Sequence, residues 1–98
     1  EISCAELYEV SKKAIEKAGY GDKYLHGLGH GIGLETHEYP ALKSVSQSIS
    51  LQPGMCVTIE PGIYMPELGG VRIEDMVLVT AEGHRNLTSG YPKCKLII

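Results

Sequence analysis

The chain has 98 residues, of which 43% are hydrophobic and 21% are charged, and its formal net charge is −3. This length suits one domain, and the composition is that of a globular protein rather than of a disordered or collagen-like one. The acidic balance and the lack of a basic run argue against a nucleic-acid partner, and no apolar run approaches the roughly 20 residues that cross a membrane.

The three cysteines, Cys4, Cys56 and Cys94, are odd in number and far apart in the chain. Because no C-x-x-C pair occurs, we expect neither a disulfide framework nor a structural zinc site. Reduced thiols that pack as small hydrophobic groups are the ordinary alternative. The first ten residues contain three glutamates and no basic residue, unlike a signal peptide. These features predict a cytoplasmic protein.

Apolar residues recur at helical spacing over residues 3–18, which predicts an amphipathic helix. Ser3 and Glu6 have the spacing of a capping box at its start, and Gly19 is a natural stop at its end. The helix is followed by the segment His26–Gly33, in which four glycines alternate with other residues.

Residues 34–50 show no clean periodicity and are predicted to form a loop. Residues 55–60 alternate as a strand does, and Pro61 ends that strand. Ile63–Tyr64 and residues 71–80, joined through a pair of glycines, predict a hairpin. Two further segments are a predicted turn at residues 81–84 and a short apolar tail at residues 95–98.

Two acidic residues in these strands need an explanation. Strand alternation places Arg72 and Glu74 on one face of the second arm and Asp75 on the other. Glu60 ends the first arm, next to apolar neighbours. An acidic side chain in such a strand is costly unless it is paired or binds a metal. The simpler alternative is a salt bridge, in which Arg72 pairs with Glu74 or Glu60 on a solvated face.

The histidines favour a metal site. His26, His30 and His37 lie within twelve residues, and His30 has a glycine on each side. Glycine lets the backbone approach other groups closely. A single histidine is more often structural, but three of them in a glycine-rich segment, with acidic residues on two later strands, indicate a His/carboxylate metal site. An oxygen-rich set of this kind favours Mn²⁺, with Co²⁺, Fe²⁺ or Zn²⁺ as alternatives.

Other catalytic motifs fail on inspection of the residues. The dinucleotide fingerprint G-x-G-x-x-G fails because Ile32 stands where the third glycine belongs. The zincin motif H-E-x-x-H fails because His37 and Glu38 are followed by Ala41 at the position of the second histidine. Neither a phosphate-binding loop nor a G-x-S-x-G nucleophile turn occurs.

Three segments, His30–Glu38, Thr58–Tyr64 and Gly70–Asp75, resemble the metallopeptidase family of methionine aminopeptidase, aminopeptidase P and prolidase. The likeness extends over residues 5 to about 97, and the residues around Glu60-Pro61 and Glu74 resemble the proline-specific branch. The resemblance implies an α+β fold. This would be half of a pita-bread (creatinase/aminopeptidase) fold, with a curved antiparallel sheet and a flanking N-terminal helix.

The resemblance also implies a ligand set for two divalent metal ions. His30, Glu60 and Glu74 would be metal ligands, and Glu74 would bridge the two ions. Glu60 would in addition act as the general base on a bridging water.

Three further residues receive roles from the same resemblance. His37 would help to hold the substrate carbonyl and the developing oxyanion. His26 would contact the peptide near the proline, and Arg72 would orient acidic partners or the substrate terminus. All three are therefore candidates for the catalytic site alongside Glu60.

The main departure from the family pattern is a missing pair of aspartates, which the family places on a hairpin upstream of the histidine. The chain contains only Asp22 and Asp75, and neither fits. We therefore expect residues 1–98 to be the C-terminal portion of a catalytic domain, without the upstream aspartates and without the N-terminal domain of the parent.

The implied function of the parent is dinuclear metal-dependent hydrolysis of the bond preceding proline, as an Xaa-Pro dipeptidase or aminopeptidase. Its substrates would be short peptides with proline at the second position, and a homodimer is left open. With three of the five implied ligands, the isolated chain is expected to be inactive. Alternatives are a non-catalytic binding module on the same fold, metal-free creatinase-like chemistry and a self-standing structural domain.

Overall fold

The computed structural model describes residues 2–46 and 48–93. Within them the chain forms one α-helix, α1 (Cys4–Lys17), a 3-10 helix at Gly21–Lys23, and seven strands. No helix in this part of the chain is both long and apolar enough to cross a membrane. The strands are β1 (Gly29–Gly31), β2 (Glu38–Leu42), β3 (Cys56–Ile59), β4 (Gly62–Met65), β5 (Gly69–Arg72), β6 (Asp75–Thr80) and β7 (Gly83–Asn86).

The strands form two antiparallel sheets. Five strands pair in the order β2-β1-β3-β6-β7, and β4 pairs with β5 in a separate two-stranded sheet. With one helix beside an antiparallel sheet, the chain has the α+β architecture that the sequence predicts. The order also places the glycine-rich strand β1 between β2 and β3, so the histidine segment lies next to the strand that leads into Glu60.

Helix α1 begins and ends where its local sequence predicts. The Ser3 hydroxyl accepts a hydrogen bond from the Glu6 amide at 3.1 Å, and the Glu6 carboxylate accepts one from the Ser3 amide at 2.7 Å. This reciprocal pair is the predicted capping box. Gly19 follows the C-cap with a φ of +93°, a left-handed conformation that glycine adopts at little cost.

The core lies between α1 and the sheet and is small. Its buried members are Cys4, Leu28, Leu42 and Val57, and the half-buried side chains packed against them include Leu7 from α1. Burial removes the Cys4 thiol from water and raises its pKa. The core therefore joins the helix to β2, to β3 and to the residue just before β1, and a free cysteine serves in it as an apolar group.

The prediction of a loop over residues 34–50 is wrong for its central part, because β2 (Glu38–Leu42) forms there. Pro40 lies within this strand and argues against a strand on sequence grounds, but β2 is at the edge of the sheet, where proline is tolerated. The pairing depends on Gly31. A Cβ there would lie 2.1 Å from the Tyr39 carbonyl oxygen, so only glycine lets β2 approach.

The second hairpin arm is not one continuous strand over residues 71–80. It divides into β5 and β6, and the break lies at residues 73–74. The cause is Pro61 on the opposite arm, which has no amide hydrogen to donate to the ladder. The predicted turn at residues 81–84 is confirmed only for its first half, since β7 begins at Gly83. The predicted apolar tail at residues 95–98 lies outside the described residues.

Gly29 controls how closely β1 packs on β3, which gives a direct test. A Cβ at this position would lie 1.8 Å from the backbone carbonyl oxygen of Thr58, a group that cannot rotate away. We expect Gly29→Ala to lower the free energy of unfolding by about 3 kcal/mol, the upper end of the usual cost of overpacking. Urea denaturation followed by circular dichroism measures the change.

Gly90→Ala is the matched control, because nothing lies within 4 Å of a Cβ built at Gly90. Its effect on the free energy of unfolding should stay within about 0.5 kcal/mol. Equal stability of the two variants would contradict the close approach of β1 and β3.

Candidate metal centre

The hairpin places Glu60 and Glu74 on facing positions. Ile59 at the end of β3 is paired with Asp75 at the start of β6, and the rungs of β4 and β5 continue the same register beyond the break. Extending the register by one residue sets Glu60 opposite Glu74. The two acidic residues therefore occupy one rung, at the point where the five-stranded sheet gives way to the two-stranded one.

This rung brings side chains close together. At the next rung the amide of Ile73 donates to the carbonyl oxygen of Pro61 at 3.2 Å, which makes that pair the hydrogen-bonded one. Glu60 and Glu74 then form the non-hydrogen-bonded pair, the type in which opposite Cα atoms are nearest in an antiparallel ladder. Like charges directly opposite each other are destabilising, so both carboxylates need partners of opposite character.

Each carboxylate has a different partner. A Glu60 carboxylate oxygen lies 3.2 Å from Nε2 of His30, and each side chain is only 17% exposed. A Glu74 carboxylate oxygen lies 3.3 Å from Nε of Arg72, in a pair that is about half exposed to solvent. The salt bridge between Arg72 and Glu74 that the sequence left as the simpler alternative is therefore present, whereas Glu60 faces a histidine.

The hydrogen bonding of His30 makes it suitable as a metal ligand. Its Nδ1 lies 2.8 Å from the Gly31 carbonyl oxygen. Because a carbonyl oxygen can only accept, Nδ1 carries a hydrogen in this contact, which leaves Nε2 as the ring nitrogen that faces the Glu60 carboxylate. At 3.2 Å, Nε2 and the carboxylate oxygen attract each other through a proton or a cation between them. Metal-binding histidines usually donate the N–H of their other ring nitrogen to such an acceptor, so His30 and Glu60 fit a divalent ion.

The backbone around these two side chains is held by the pairing of β1 with β3. The amide of His30 donates to the Thr58 hydroxyl at 3.1 Å, and Thr58 is almost fully buried. The amide of Glu60 donates to the carbonyl oxygen of Leu28 at 2.7 Å. Sequence reasoning gave Thr58 no role, although its place two residues before Glu60 puts both on the same strand face.

A bulge redirects the chain next to His30. The register of β1 against β2 shifts between His30, which is opposite Ala41, and Gly31, which is opposite Glu38. Bulges of this kind bend a strand and re-aim the neighbouring side chain, and they are common near functional sites.

The other two histidines lie beside this pair but in different surroundings. The ring of the exposed His37 is centred 4.3 Å from the ring of His30. His26 is half-buried, and both its ring nitrogens are engaged: Nδ1 lies 2.6 Å from the Gly27 carbonyl oxygen and Nε2 lies 2.8 Å from the Tyr64 hydroxyl. Sequence reasoning missed the contact with Tyr64, because its only local signal is a tyrosine in the motif after Pro61.

The structure therefore gathers part of the set of predicted site residues. His30 and Glu60 are in contact and His37 is beside them, whereas Glu74 is bound to Arg72. In residues 2–46 and 48–93, no three His, Cys, Asp or Glu side chains lie close enough together to hold a metal ion. Convergence of all three expected ligands stays a prediction.

A groove of about 880 Å³ lies away from these residues. Its lining includes Val57, Ile59 and Val77, which alternate with Thr58 and Glu60 and so belong to the opposite face of the hairpin. The groove thus lies on the helix side of the sheet and is separate from the candidate metal centre.

Asp75 follows Glu74 in the chain and lies on the groove side of the hairpin, where it anchors the start of β6. Its carboxylate accepts a hydrogen bond from the Thr88 hydroxyl at 2.6 Å and lies 3.0 Å from Nζ of Lys93. These hydrogen bonds, first that from Thr88 and then that from Lys93, stabilise the charged form and lower the pKa of Asp75. The opposite orientation of Asp75 and Glu74 agrees with the predicted alternation.

Residues 1–81 match the model of metallopeptidase family M24. The Xaa-Pro dipeptidase of Pyrococcus furiosus is 49% identical over 87 residues, which cover 89% of this chain and 25% of that protein. The structure of an Xaa-Pro dipeptidase from Bacillus anthracis superposes with a TM-score of 0.93 at 46% identity, over 99% of this chain and 27% of that one.

The structure of the X-Pro aminopeptidase from Thermotoga maritima superposes with a TM-score of 0.92 at 37% identity, over 99% of this chain and 27% of that one. The chain thus spans about a quarter of the length of the relatives it matches. These matches confirm the predicted resemblance and the α+β, pita-bread type of fold.

The lowered pKa of Asp75 predicts an acid-dependent contribution to stability. A carboxyl group whose pKa is lower in the folded state stabilises the fold above its unfolded pKa, here near the ordinary value of 3.8, and loses that effect as the pH falls below it. We expect Asp75→Asn to be less stable than the wild type at neutral pH, with the difference shrinking below pH 3.8.

Thermal unfolding followed by circular dichroism at several pH values measures this difference. Asp22→Asn is the matched control, because the Asp22 side chain is 79% exposed and its pairing with Lys23 is a surface contact. A stability loss in Asp75→Asn that does not change with pH would show that the charge of Asp75 is not what matters.

Proposed function

The chain belongs to metallopeptidase family M24, and we propose that it supplies His30, Glu60 and Glu74 as metal ligands to a peptidase site that hydrolyses the bond preceding proline. The single observation that carries this proposal is the contact between Nε2 of His30 and the Glu60 carboxylate at 3.2 Å. The relatives named above as Xaa-Pro dipeptidase and X-Pro aminopeptidase supply the reaction class.

The three proposed ligands lie on three segments that the sheet holds together. His30 is on β1, Glu60 follows β3, and Glu74 precedes β6 on the rung opposite Glu60. Two facing carboxylates are favoured when a cation lies near both, since a cation offsets their mutual repulsion. A carboxylate-rich set with one imidazole supports Mn²⁺ as the preferred ion, with Co²⁺, Fe²⁺ or Zn²⁺ as alternatives.

His30, Glu60 and Glu74 would hold the divalent ions, and the chemistry that such ions would supply is activation of a water and polarisation of the scissile carbonyl. The chain's own residues would do the remaining work. Glu60 would take the proton of the attacking water as general base and pass it to the leaving nitrogen. His37, exposed beside His30, would donate a hydrogen bond to the carbonyl oxygen as negative charge develops there.

Recognition of the substrate would fall to Arg72 and His26. The Arg72 guanidinium is 53% exposed and next to Glu74, so it can orient that carboxylate or meet an acidic substrate terminus. The imide nitrogen of a proline bond has no hydrogen to donate, which removes one ordinary means of backbone recognition. The ring of His26, set among Tyr24 and Tyr64, would instead contact the peptide near the proline.

Residues 1–98 would be the C-terminal portion of the catalytic domain in a longer parent, in keeping with the quarter of each relative's length that the chain covers. The parent would contribute the aspartate ligands that the 98 residues lack. We propose a cytoplasmic parent, because the described cysteines are free thiols. Its substrates would be short Xaa-Pro peptides, the class named for the relatives.

Metal binding by the 98-residue chain tests the ligand set directly. Because aspartate ligands are missing, we expect weak binding of at most one Mn²⁺ ion per chain by isothermal titration calorimetry. Glu60→Gln should abolish this binding, since an amide is a poor ligand for a hard cation. Glu82→Gln, an exposed turn residue outside the site, should keep it. Tight binding of two ions per chain would contradict the need for further ligands.

Activity of the full-length parent tests the proposed reaction. Glu74→Gln replaces a proposed ligand carboxylate with an amide of the same shape, so we expect cleavage of Xaa-Pro dipeptides to fall to near background. Glu82→Gln, in a turn away from the rung, should keep the turnover of the wild type. Circular dichroism checks that both variants remain folded. Near-normal turnover by Glu74→Gln would remove Glu74 from the ligand set, and an inactive wild type would favour a non-catalytic binding module.

A further inference from the structure

His26 is held on several sides, by Tyr64 from a distant part of the chain and by its sequence neighbours Tyr24 and Gly27. Its Nε2 lies 2.8 Å from the hydroxyl of Tyr64, 38 residues further along. Its ring forms a T-shaped contact with the Tyr24 ring, with the centroids 5.7 Å apart and the planes at 81°. Its Nδ1 lies 2.6 Å from the carbonyl oxygen of Gly27. These contacts restrict both the rotation of the imidazole and the place of its proton.

The direction of each hydrogen bond follows from the partners. The Gly27 carbonyl oxygen can only accept, so Nδ1 of His26 carries the hydrogen. In the neutral ring Nε2 then has a lone pair and accepts the hydroxyl hydrogen of Tyr64. The two contacts together select one tautomer, with the proton on Nδ1. Neither nitrogen is left free to bind another group.

The Tyr64 side of this arrangement depends on two glycines. A Cβ at Gly62 would lie 2.5 Å from the Tyr64 hydroxyl oxygen, and one at Gly70 would lie 2.6 Å from a ring carbon of Tyr64. Gly70 is the cross-strand partner of Tyr64, and Gly62 is two residues before it on the same face. The tyrosine ring thus lies flat across the space that the glycines leave, which aims its hydroxyl at His26.

The Tyr24 side connects His26 to helix α1. Tyr24 is 8% exposed, and its hydroxyl lies 2.9 Å from the hydroxyl of Ser11. The Ser11 hydroxyl donates to the Tyr8 carbonyl oxygen at 2.7 Å, so the hydrogen between the two hydroxyls comes from Tyr24. The rings of Tyr24 and Tyr8 are also stacked, 5.6 Å apart. The helix therefore fixes the tyrosine that contacts the histidine ring.

We propose that Tyr64 and Tyr24 are positioning residues that hold His26 in one tautomer and one orientation, through the contact chain Ser11–Tyr24–His26–Tyr64. Helix α1 would then determine how His26 meets the substrate. The ring carbons of His26, rather than a ring nitrogen, would face the peptide. The consequence for substrate binding rests on the proposed function, whereas the tautomer and the contacts do not.

The state of the His26 ring is measured by two-dimensional ¹H–¹⁵N NMR of the 98-residue chain with labelled histidine. The wild type should show the tautomer protonated at Nδ1 with a hydrogen-bonded Nε2. Tyr64→Phe keeps the aromatic ring and removes the donor, so the Nε2 resonance should shift toward that of a free acceptor nitrogen or average between tautomers. Tyr20→Phe, an exposed tyrosine before the 3-10 helix, should leave the His26 signals unchanged.

Steady-state kinetics of the full-length parent test the hydrogen bond between Ser11 of helix α1 and Tyr24. Removing one hydrogen bond typically costs about 1 kcal/mol, so Ser11→Ala and Tyr24→Phe should each raise KM for an Xaa-Pro dipeptide about fivefold, with kcat nearly unchanged. The double variant should behave as either single one, because both remove the same hydrogen bond. Tyr20→Phe should match the wild type.

The outcomes separate this proposal from the proposed function. Identical His26 signals in the wild type and Tyr64→Phe would overturn the proposed positioning of His26. Additive increases in KM for Ser11→Ala and Tyr24→Phe, or an equal increase in KM for Tyr20→Phe, would also overturn it. If the parent does not cleave Xaa-Pro peptides, the proposed function fails, and the NMR measurement still decides whether Tyr64 fixes the tautomer of His26. If the isolated chain does not fold, the comparison of KM among Ser11→Ala, Tyr24→Phe and Tyr20→Phe in the parent decides whether these contacts position His26.

Discussion

The antiparallel ladder that joins residues 56–65 to residues 69–78 is the constraint on which the candidate metal centre depends. Its register is unbroken across two sheets, and it sets Glu60 opposite Glu74 whatever their side chains do. Pro61 removes a donor at the next rung, so the ladder is interrupted beside the acidic pair. The backbone thereby places two like charges opposite each other, next to the rung at which the ladder lacks a hydrogen bond.

The neighbouring strand β1 complements this rung. Glycine on both sides of His30 allows β2 and β3 to approach the backbone closely from either side, and the histidine then occupies the middle of a narrow glycine strand. Its Nδ1 donates to a backbone carbonyl oxygen and its Nε2 faces Glu60. The contacts of Thr58 and Leu28 with the two backbones keep imidazole and carboxylate together without help from side-chain flexibility.

The same hairpin face also carries groups that bind no metal in our proposal. Arg72 balances the charge of Glu74, and Tyr64 reaches across its two glycines to His26. On the opposite face Asp75 is tied to Thr88 and Lys93, which anchors β6 from behind. Strand alternation therefore divides the hairpin into a polar face, which carries the proposed site residues, and a face that packs toward the helix. Membership in metallopeptidase family M24 gives that division its meaning.

The sequence by itself determined the features that depend on neighbours a few residues apart. These are the helix with its capping box, the strand before Pro61, the hairpin, the opposite faces of Glu74 and Asp75, and the family resemblance carried by the three motifs. Only the tertiary structure decided the features that depend on pairing between separate segments, because local periodicity holds no information about which strands meet. Strand β2 forms in a predicted loop since Gly31 admits it. The pairing of His30 with Glu60 and the hold of Tyr64 on His26 arise for the same reason: each joins residues at least 30 positions apart, and packing alone selects their partners.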